Sequence, residues 1–115
     1  MTPDQFRRIA LGLPEALESA HMGHPDFRVR GKIFATLGAG EAERGVLKFS
    51  PEQQEMFMRI EPAMFEPVTG GWGRKGWTWL HLRHAKPTLT RDALATAWRN
   101  TAPKRLAATL DDAAG

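Results

Sequence analysis

The fold is decided by the stretch FRVRGKIFA, residues 27–35. Apolar and charged residues alternate along it, which is the two-residue period of a strand with one buried face. Gly31 tolerates the positive φ that a tight turn requires. The stretch therefore predicts a β-hairpin that turns at Gly31, with strands near 26–31 and 33–38.

Upstream of this hairpin, the sequence predicts one more strand and an N-terminal helix. The strand lies near 17–22 and is followed by the turn GHPD, residues 23–26. The helix begins at Pro3, because Thr2 and Gln5 have the spacing of a capping box. Its apolar stripe consists of Phe6, Ile9, Ala10 and Leu13.

Downstream of the hairpin, the sequence predicts a loop over 38–45, a short strand over 46–49 and a helix that ends near residue 60. Ser50 and Gln53 form a second capping box, which marks the start of this helix. The residues expected to face the core are Phe57 and either Ile60 or Met56.

The last part of the chain is predicted to form a loop, a strand and a helix. Two prolines exclude a helix over 61–76, and alternation predicts a strand over 77–83. Thr90 is a candidate cap for the final helix, which Pro103 interrupts before a further helical segment at 104–110. The inward residues of the final helix are expected to be Leu94, Ala97 and Trp98.

These elements predict an α+β fold in the order α-β-β-β-β-α-β-α. Strands joined by hairpins form a largely antiparallel sheet, and the helices pack on one face of it. A length of 115 residues fits a single domain over 1–115.

Composition excludes several classes of protein. Hydrophobic residues make up 42% and charged residues 25%, which is typical of a globular domain. The chain has no cysteine, so a disulfide scaffold, an iron–sulfur cluster and a cysteine nucleophile are excluded. No run of about 18 apolar residues predicts a membrane span, and the N-terminus lacks the pattern of a signal peptide. We therefore expect a cytoplasmic protein that does not bind membranes.

Positive charge is concentrated in the C-terminal part of the chain. Residues 1–70 hold 8 Lys+Arg and 10 Asp+Glu, whereas residues 71–115 hold 8 Lys+Arg and 3 Asp+Glu. A basic region of this kind is expected of a protein with a polyanionic partner, although a solvated basic face is the simpler explanation.

The chain resembles the MmcQ/YjbR family of small bacterial proteins over about residues 3–110. The similarity lies in the 27–35 stretch, in Leu13-Pro14 and Leu47-Lys48, in Gly76-Trp77, and in the Ala-x-x-x-Ala-Trp pattern of the last helix. The resemblance implies a CyaY-like fold. It also implies DNA binding through a surface made by two β-hairpins.

Two groups of residues are candidates for such a surface. Arg28, Arg30 and Lys32 are expected on one face of a strand or its turn, at a spacing similar to that of phosphates. Arg74 and Lys75 are expected in a loop beside tryptophans. The candidate nucleic-acid-binding residues are Arg28, Arg30, Lys32, Arg74, Lys75, Trp77, Trp79 and Arg83.

The 77–83 strand has two possible orientations. Trp77, Trp79, His81 and Arg83 lie on one face of it, where aromatic rings can stack on bases while cations neutralise phosphates. The other possibility is that this face packs beneath a helix, so that the tryptophans belong to the core.

Metal binding and catalysis find little support in the sequence. The pairs His21/His24 and His81/His84 are three residues apart, which places their side chains on opposite faces of a strand. Ser19, His21 and Asp26 contain the groups of a hydrolytic triad, but nothing in the sequence orients them. We expect no metal, no cofactor and no catalytic activity.

The function predicted from the residues and the resemblance is non-catalytic nucleic-acid binding, with DNA as the expected partner and low sequence specificity. A protein–protein adaptor that uses the Trp/Arg-rich face of the 77–83 strand is the alternative. A third hypothesis is that the protein binds a small molecule in a pocket between the sheet and the 61–76 loop.

Overall fold

The computed structural model describes residues 1–38 and 44–114, within which six strands form one antiparallel sheet. The strands are β1 (Leu17–His21), β2 (His24–Val29), β3 (Lys32–Leu37), β4 (Arg44–Lys48), β5 (Phe65–Pro67) and β6 (Trp77–His81). The helices are α1 (Pro3–Leu11), α2 (Pro51–Ile60), α3 (Gly71–Arg74), α4 (Pro87–Thr101) and α5 (Lys104–Ala114). The strands follow the spatial order β1-β2-β3-β4-β6-β5, which confirms the predicted α+β class.

The hydrophobic core lies between one face of the sheet and the helices. Helix α4 packs on β3 and β4, and α1 packs on α4. Trp98 of α4 is fully buried, and its indole Nε1 donates a hydrogen bond to the carbonyl of Pro14 at 3.0 Å. The predicted inward residues of this helix, Leu94, Ala97 and Trp98, are all buried.

Both predicted capping boxes are present. The Thr2 hydroxyl accepts a hydrogen bond from the Gln5 amide, and the Gln5 side chain accepts one from the Thr2 amide. Ser50 and Gln53 repeat this exchange at the start of α2. Each box satisfies amide donors that a helix leaves without an intrahelical partner, which is why the two helices begin where the sequence predicts.

The predicted hairpin is confirmed. Both strands have the predicted length of six residues, but β2 begins two residues and β3 one residue earlier than predicted. Arg30 and Gly31 turn the chain with φ of 51° and 80°, as the two central residues of a type I′ turn require. The pairing register shifts between Phe27 and Arg28, so Phe34 on β3 has no Cα partner of its own. Phe34 and Ala35 are consequently both buried, although strict alternation predicts opposite faces for them.

The first turn is displaced from the predicted position at 23–26. Met22 and Gly23 form it, with φ of 49° and 79°, and β2 begins at His24. His21 and His24 are therefore Cα partners on neighbouring strands, with ring centroids 6.2 Å apart. The prediction that the pair points to opposite faces of one strand is wrong.

Several other predictions need correction. The 61–76 segment contains β5 and α3; β5 is an edge strand of three residues, which is where a strand proline is tolerated. The final helix begins at Pro87 and not at Thr90, whose buried hydroxyl donates to the Lys86 carbonyl at 2.8 Å. Of the 38–45 loop, residues 39–43 lie outside the described residues, and Arg44 opens β4.

Helix α2 turns only one of its predicted core residues inward. Phe57 is buried and stacks on Phe49 with centroids 4.7 Å apart, whereas Met56 is 45% and Ile60 is 54% exposed. Helix α2 is ten residues long and packs mainly on the edge strand β5 and on β6, so the apolar surface that it buries is narrow.

Gly76 fixes where β6 begins. Its φ is 111°, and a Cβ atom placed on it would lie 2.1 Å from the carbonyl oxygen of Phe49. Only glycine fits this close approach of two backbones. Gly76 therefore determines that β6 begins at Trp77, and with it which face of the sheet Trp77 and Trp79 occupy.

Candidate functional site on the open sheet face

The sheet face opposite α4 carries the candidate site, and we call it the open face. Its members are Asp26, Arg28, Ile33, Thr36, Arg44, Val46, Lys48, Trp77, Trp79 and His81, with His21 at the β1 edge. A row of Cα partners, Asp26, Thr36, Val46 and Trp79, runs straight across four strands through its centre. Small side chains in the middle of this row leave the face concave.

Strand β6 has the orientation that exposes its tryptophans. Thr78 and Leu80 are fully buried, whereas Trp77, Trp79 and His81 are half-buried on the open face. The alternative, that the tryptophans pack beneath a helix as core residues, is therefore wrong. Half-burial fixes each indole in place and still leaves part of its ring accessible.

The larger of two hollows on the open face, with a volume of about 590 Å³, is bounded by Trp72 and Trp77. Trp72 comes from α3, is 60% exposed, and meets Trp77 edge to face at a centroid distance of 5.8 Å. The Lys48 ammonium lies 6.0 Å from the Trp77 ring centre, and that of Lys75 lies 5.4 Å from Trp72. Cations and aromatic faces thus occupy the same wall.

The smaller hollow, of about 470 Å³, lies at the other end of the open face beside Trp79. The Arg44 guanidinium lies 4.1 Å from the centre of the Trp79 ring. His81 is the Cα partner of Arg44, and its Nε2 is 2.8 Å from a carboxylate oxygen of Glu66. His21, Thr36 and Val46 line both hollows, which are therefore neighbours on one continuous surface.

A buried carboxylate organises the β1–β2 side of the open face. The Asp26 side chain is 0% exposed and accepts two hydrogen bonds from Arg28, from Nε at 2.8 Å and Nη2 at 3.0 Å. Nδ1 of His21 lies 2.8 Å from its second oxygen. Hydrogen bonds from Arg28, and then from His21, lower the pKa of Asp26 despite its burial. The carboxylate stays ionised and holds both side chains at the hollows.

Gln54 holds the α3 corner against the sheet. Its side-chain amide donates to the carbonyls of Gly73 and Trp77 and to the Thr78 hydroxyl, each at 3.1 Å. These contacts join α2, α3 and β6. They fix the position of the exposed Trp72 relative to Trp77.

The structure separates the members of the first candidate group, which consists of Arg28, Arg30 and Lys32. Arg28 and Lys32 line the larger hollow together. Arg30 lies in the β2–β3 turn, where Nε and Nη2 bind the Glu15 carboxylate at 2.6 and 2.9 Å. This pair raises the pKa of Arg30 and lowers that of Glu15 through direct hydrogen bonds. The prediction that all three cations share one face is wrong for Arg30.

The second group is also divided. Trp77 and Trp79 lie on the open face, and Lys75 follows α3 beside Trp72. Arg74 is the exposed last residue of α3. Arg83 lies beyond the end of β6, in a 3₁₀ turn over Leu82–His84, and does not continue the face of the tryptophans as predicted.

Sequence reasoning missed four residues of this surface. Arg44 and Lys48 alternate with the buried Gly45 and Leu47 on β4, which is a readable signal once the strand is extended to Arg44. In the sequence, His21 and Asp26 stand out only as groups of a possible triad, and nothing there predicts their contact. Their contact depends on how β1 pairs with β2, which places Ser19 opposite Asp26.

Within the described ranges, no three His, Asp or Glu side chains are grouped so that they could hold a metal ion. The helices of these ranges fall short of the length and apolar composition that a membrane span requires.

Two comparisons with known proteins gave a match. A family model described as YjbR matches residues 11–100. The crystal structure of DR2400, a Deinococcus radiodurans protein with a DUF419 domain, superposes with a TM-score of 0.70 and 22% sequence identity. The superposition covers 84% of this chain and 75% of that one, and at this identity it shows the fold alone. No curated protein matches the sequence significantly. The CyaY-like description of the fold stays a prediction.

Proposed function

The chain belongs to the YjbR family, as its 27–35 stretch indicated, and we propose that it is a small non-catalytic protein that binds DNA through the open face. One observation carries the proposal: cations and half-exposed tryptophans meet on a single concave surface. Hydration alone favours polar side chains on an exposed sheet face, so it does not explain why two indole rings lie beside the cations of Lys48 and Arg44.

Phosphates are the groups that the β1–β2 side of the open face fits best. Asp26 uses Nε and Nη2 of Arg28, which leaves Nη1 to bind an anion. Lys32 is exposed at the rim of the same hollow. A guanidinium already held in one orientation loses less freedom on binding than a mobile one.

Low sequence specificity is expected of this surface. Its charged members are Lys and Arg side chains, which bind the phosphate backbone that every sequence shares. Within residues 1–38 and 44–114, no helix carries a row of Arg, Asn and Gln side chains for reading base edges in a major groove. The proposed contact residues are Arg28, Lys32, Lys48, Arg44, Arg74, Lys75, Trp77 and Trp79.

A protein–protein adaptor remains the second candidate, because Trp72 is 60% exposed and exposed tryptophans commonly anchor interfaces. The two functions respond differently to salt. Binding through phosphates weakens steeply as salt rises, since it releases counterions from the nucleic acid, whereas an apolar interface changes little.

The test is a fluorescence titration with short DNA at about 50 and about 200 mM salt. The chain has four tryptophans and no tyrosine, so its intrinsic emission reports on the indoles. We expect binding that weakens at the higher salt and is reduced in Arg28→Ala. Arg91→Ala is the matched control, because it removes the same charge from an exposed position on α4, away from the open face. Absence of binding at the lower salt would contradict the proposal.

A further inference from the structure

We propose that the open face binds unpaired, single-stranded DNA and that its two hollows take two successive nucleotides. This inference rests on the proposed function and names its substrate class. One base would lie against Trp72 and Trp77 in the larger hollow. The next would lie against the layer that Trp79 and Arg44 form at the smaller one.

We call the Trp72–Trp77 pair and the Trp79–Arg44 layer the two platforms. Their spacing favours an extended strand of DNA. Trp77 and Trp79 are two residues apart on β6 and point to the same face, which separates their Cα atoms by roughly 6.5 Å. Successive bases in a duplex rise by only about 3.4 Å. Platforms at nearly twice that distance match bases that have been separated from each other.

The shape of the open face also favours bases over base pairs. The floor between the platforms consists of short side chains, Thr36 and Val46, which lie below the surrounding tryptophans and cations. An unpaired base can enter such a hollow and place its flat face on an indole. In a duplex these faces are covered by neighbouring base pairs, so only backbone phosphates would reach the rim.

The Asp26 cluster, which consists of Asp26, Arg28 and His21, lies where the phosphate that joins the two nucleotides would be. His21 lines both hollows, and Asp26 holds it beside Arg28. With Nδ1 directed at Asp26, the imidazole has its Nε2 left to contact a ligand. A linking phosphate between the two bases would meet both side chains at this point.

The Trp79 platform has a different composition from the Trp72–Trp77 platform. The Arg44 guanidinium already covers part of the Trp79 ring at 4.1 Å. A guanidinium plane stacks on bases as an aromatic ring does. The second base can therefore use Arg44 and Trp79 as one layer, and it does not require the arginine to leave.

The experiment compares an oligothymidine single strand with a blunt hairpin duplex of similar charge, both at about 50 mM salt. We expect the single strand to bind at least about tenfold more tightly, which is the contribution of one well-stacked base. Trp77→Leu and Trp79→Leu keep an apolar side chain and remove the stacking surface. Each should weaken single-strand binding by roughly 5- to 150-fold.

Met56→Ala is the matched control, since it removes an exposed apolar side chain from α2, away from the open face. Urea unfolding of each variant shows whether it is folded, and Trp79→Phe, which retains an aromatic ring, should recover part of the affinity. Equal affinity for both DNA forms, unchanged in folded tryptophan variants, would overturn this inference and leave DNA binding intact. Failure of both forms to bind would overturn the proposed function as well.

Discussion

The two faces of β6 differ in what they require of neighbouring residues. Thr78 and Leu80 are completely buried, and helix packing determines their size and polarity. Trp77 and Trp79 alternate with them on the open face, where both rings stay half-exposed although Trp77 meets Trp72 of α3, and where hydration alone would favour polar side chains. Core packing therefore explains the first pair, and ligand binding offers an explanation for the second.

The open face nevertheless contains one residue that is as buried as the core. Asp26 is covered by His21 and Arg28, the two side chains that it binds. The ion pair between Arg30 of the β2–β3 turn and Glu15 offers a direct contrast. Glu15 binds Arg30 with the same two-pronged geometry, but its side chain is 48% exposed. Two similar ion pairs thus differ mainly in their access to water.

The largest expected effect is on the core face. Leu80→Ala should lower the free energy of unfolding by about 2–5 kcal/mol, because it removes a fully buried side chain and leaves a cavity. Urea denaturation followed by circular dichroism measures this. Trp79→Leu, one position away on the open face, should cost clearly less. Equal losses from both variants would mean that the two faces of β6 are packed alike.

The next effect concerns the buried carboxylate. Asp26→Asn keeps the size of the side chain, removes its charge and weakens its hydrogen bonds to Arg28 and His21. We expect a loss of about 1–3 kcal/mol in stability at pH 7, the range for disturbing a buried charged hydrogen bond. Urea denaturation of both proteins gives the difference in the free energy of unfolding, from the midpoints and slopes of the curves. An unchanged midpoint would show that the cluster contributes orientation and no stability.

The pH dependence of stability should change in the same variant. The pKa of Asp26 is lower in the folded chain than in the unfolded one, so its contribution is present above about pH 4. It is lost as the pH falls through the lower pKa of the folded state. Wild type should therefore lose stability on acidification more steeply than Asp26→Asn. Parallel pH profiles would contradict the assigned direction of the shift.

The contrast between these regions also shows what the sequence could predict. The hairpin and both capping boxes follow from residues at most a few positions apart, and they were predicted correctly. The burial of β6 could not be decided locally, because apolar residues occupy both of its faces. The contacts of Asp26 and Arg30 depend on turn positions and on a partner as distant as Glu15, which is 15 residues from Arg30.

A smaller effect should separate Arg28 from Arg30 in DNA binding. Both are arginines in one hairpin, and both bind a carboxylate through Nε and Nη2, but only Arg28 lines the larger hollow. Arg28→Ala should weaken binding and reduce the slope of log affinity against log salt by about 1, the value of one phosphate contact. Arg30→Ala should leave the slope unchanged. Equal reductions would place the turn inside the DNA-binding surface.

The smallest effect is expected from Glu15→Gln, which makes the same chemical change as Asp26→Asn in an exposed pair. Water and salt screen the Glu15–Arg30 interaction, so its loss should leave the urea midpoint within experimental error. The two variants form a matched pair, measured in the same buffer by the same method. If Glu15→Gln were as destabilising as Asp26→Asn, burial would not explain the importance of the Asp26 cluster. The turn would then contribute to stability as much as the open face does.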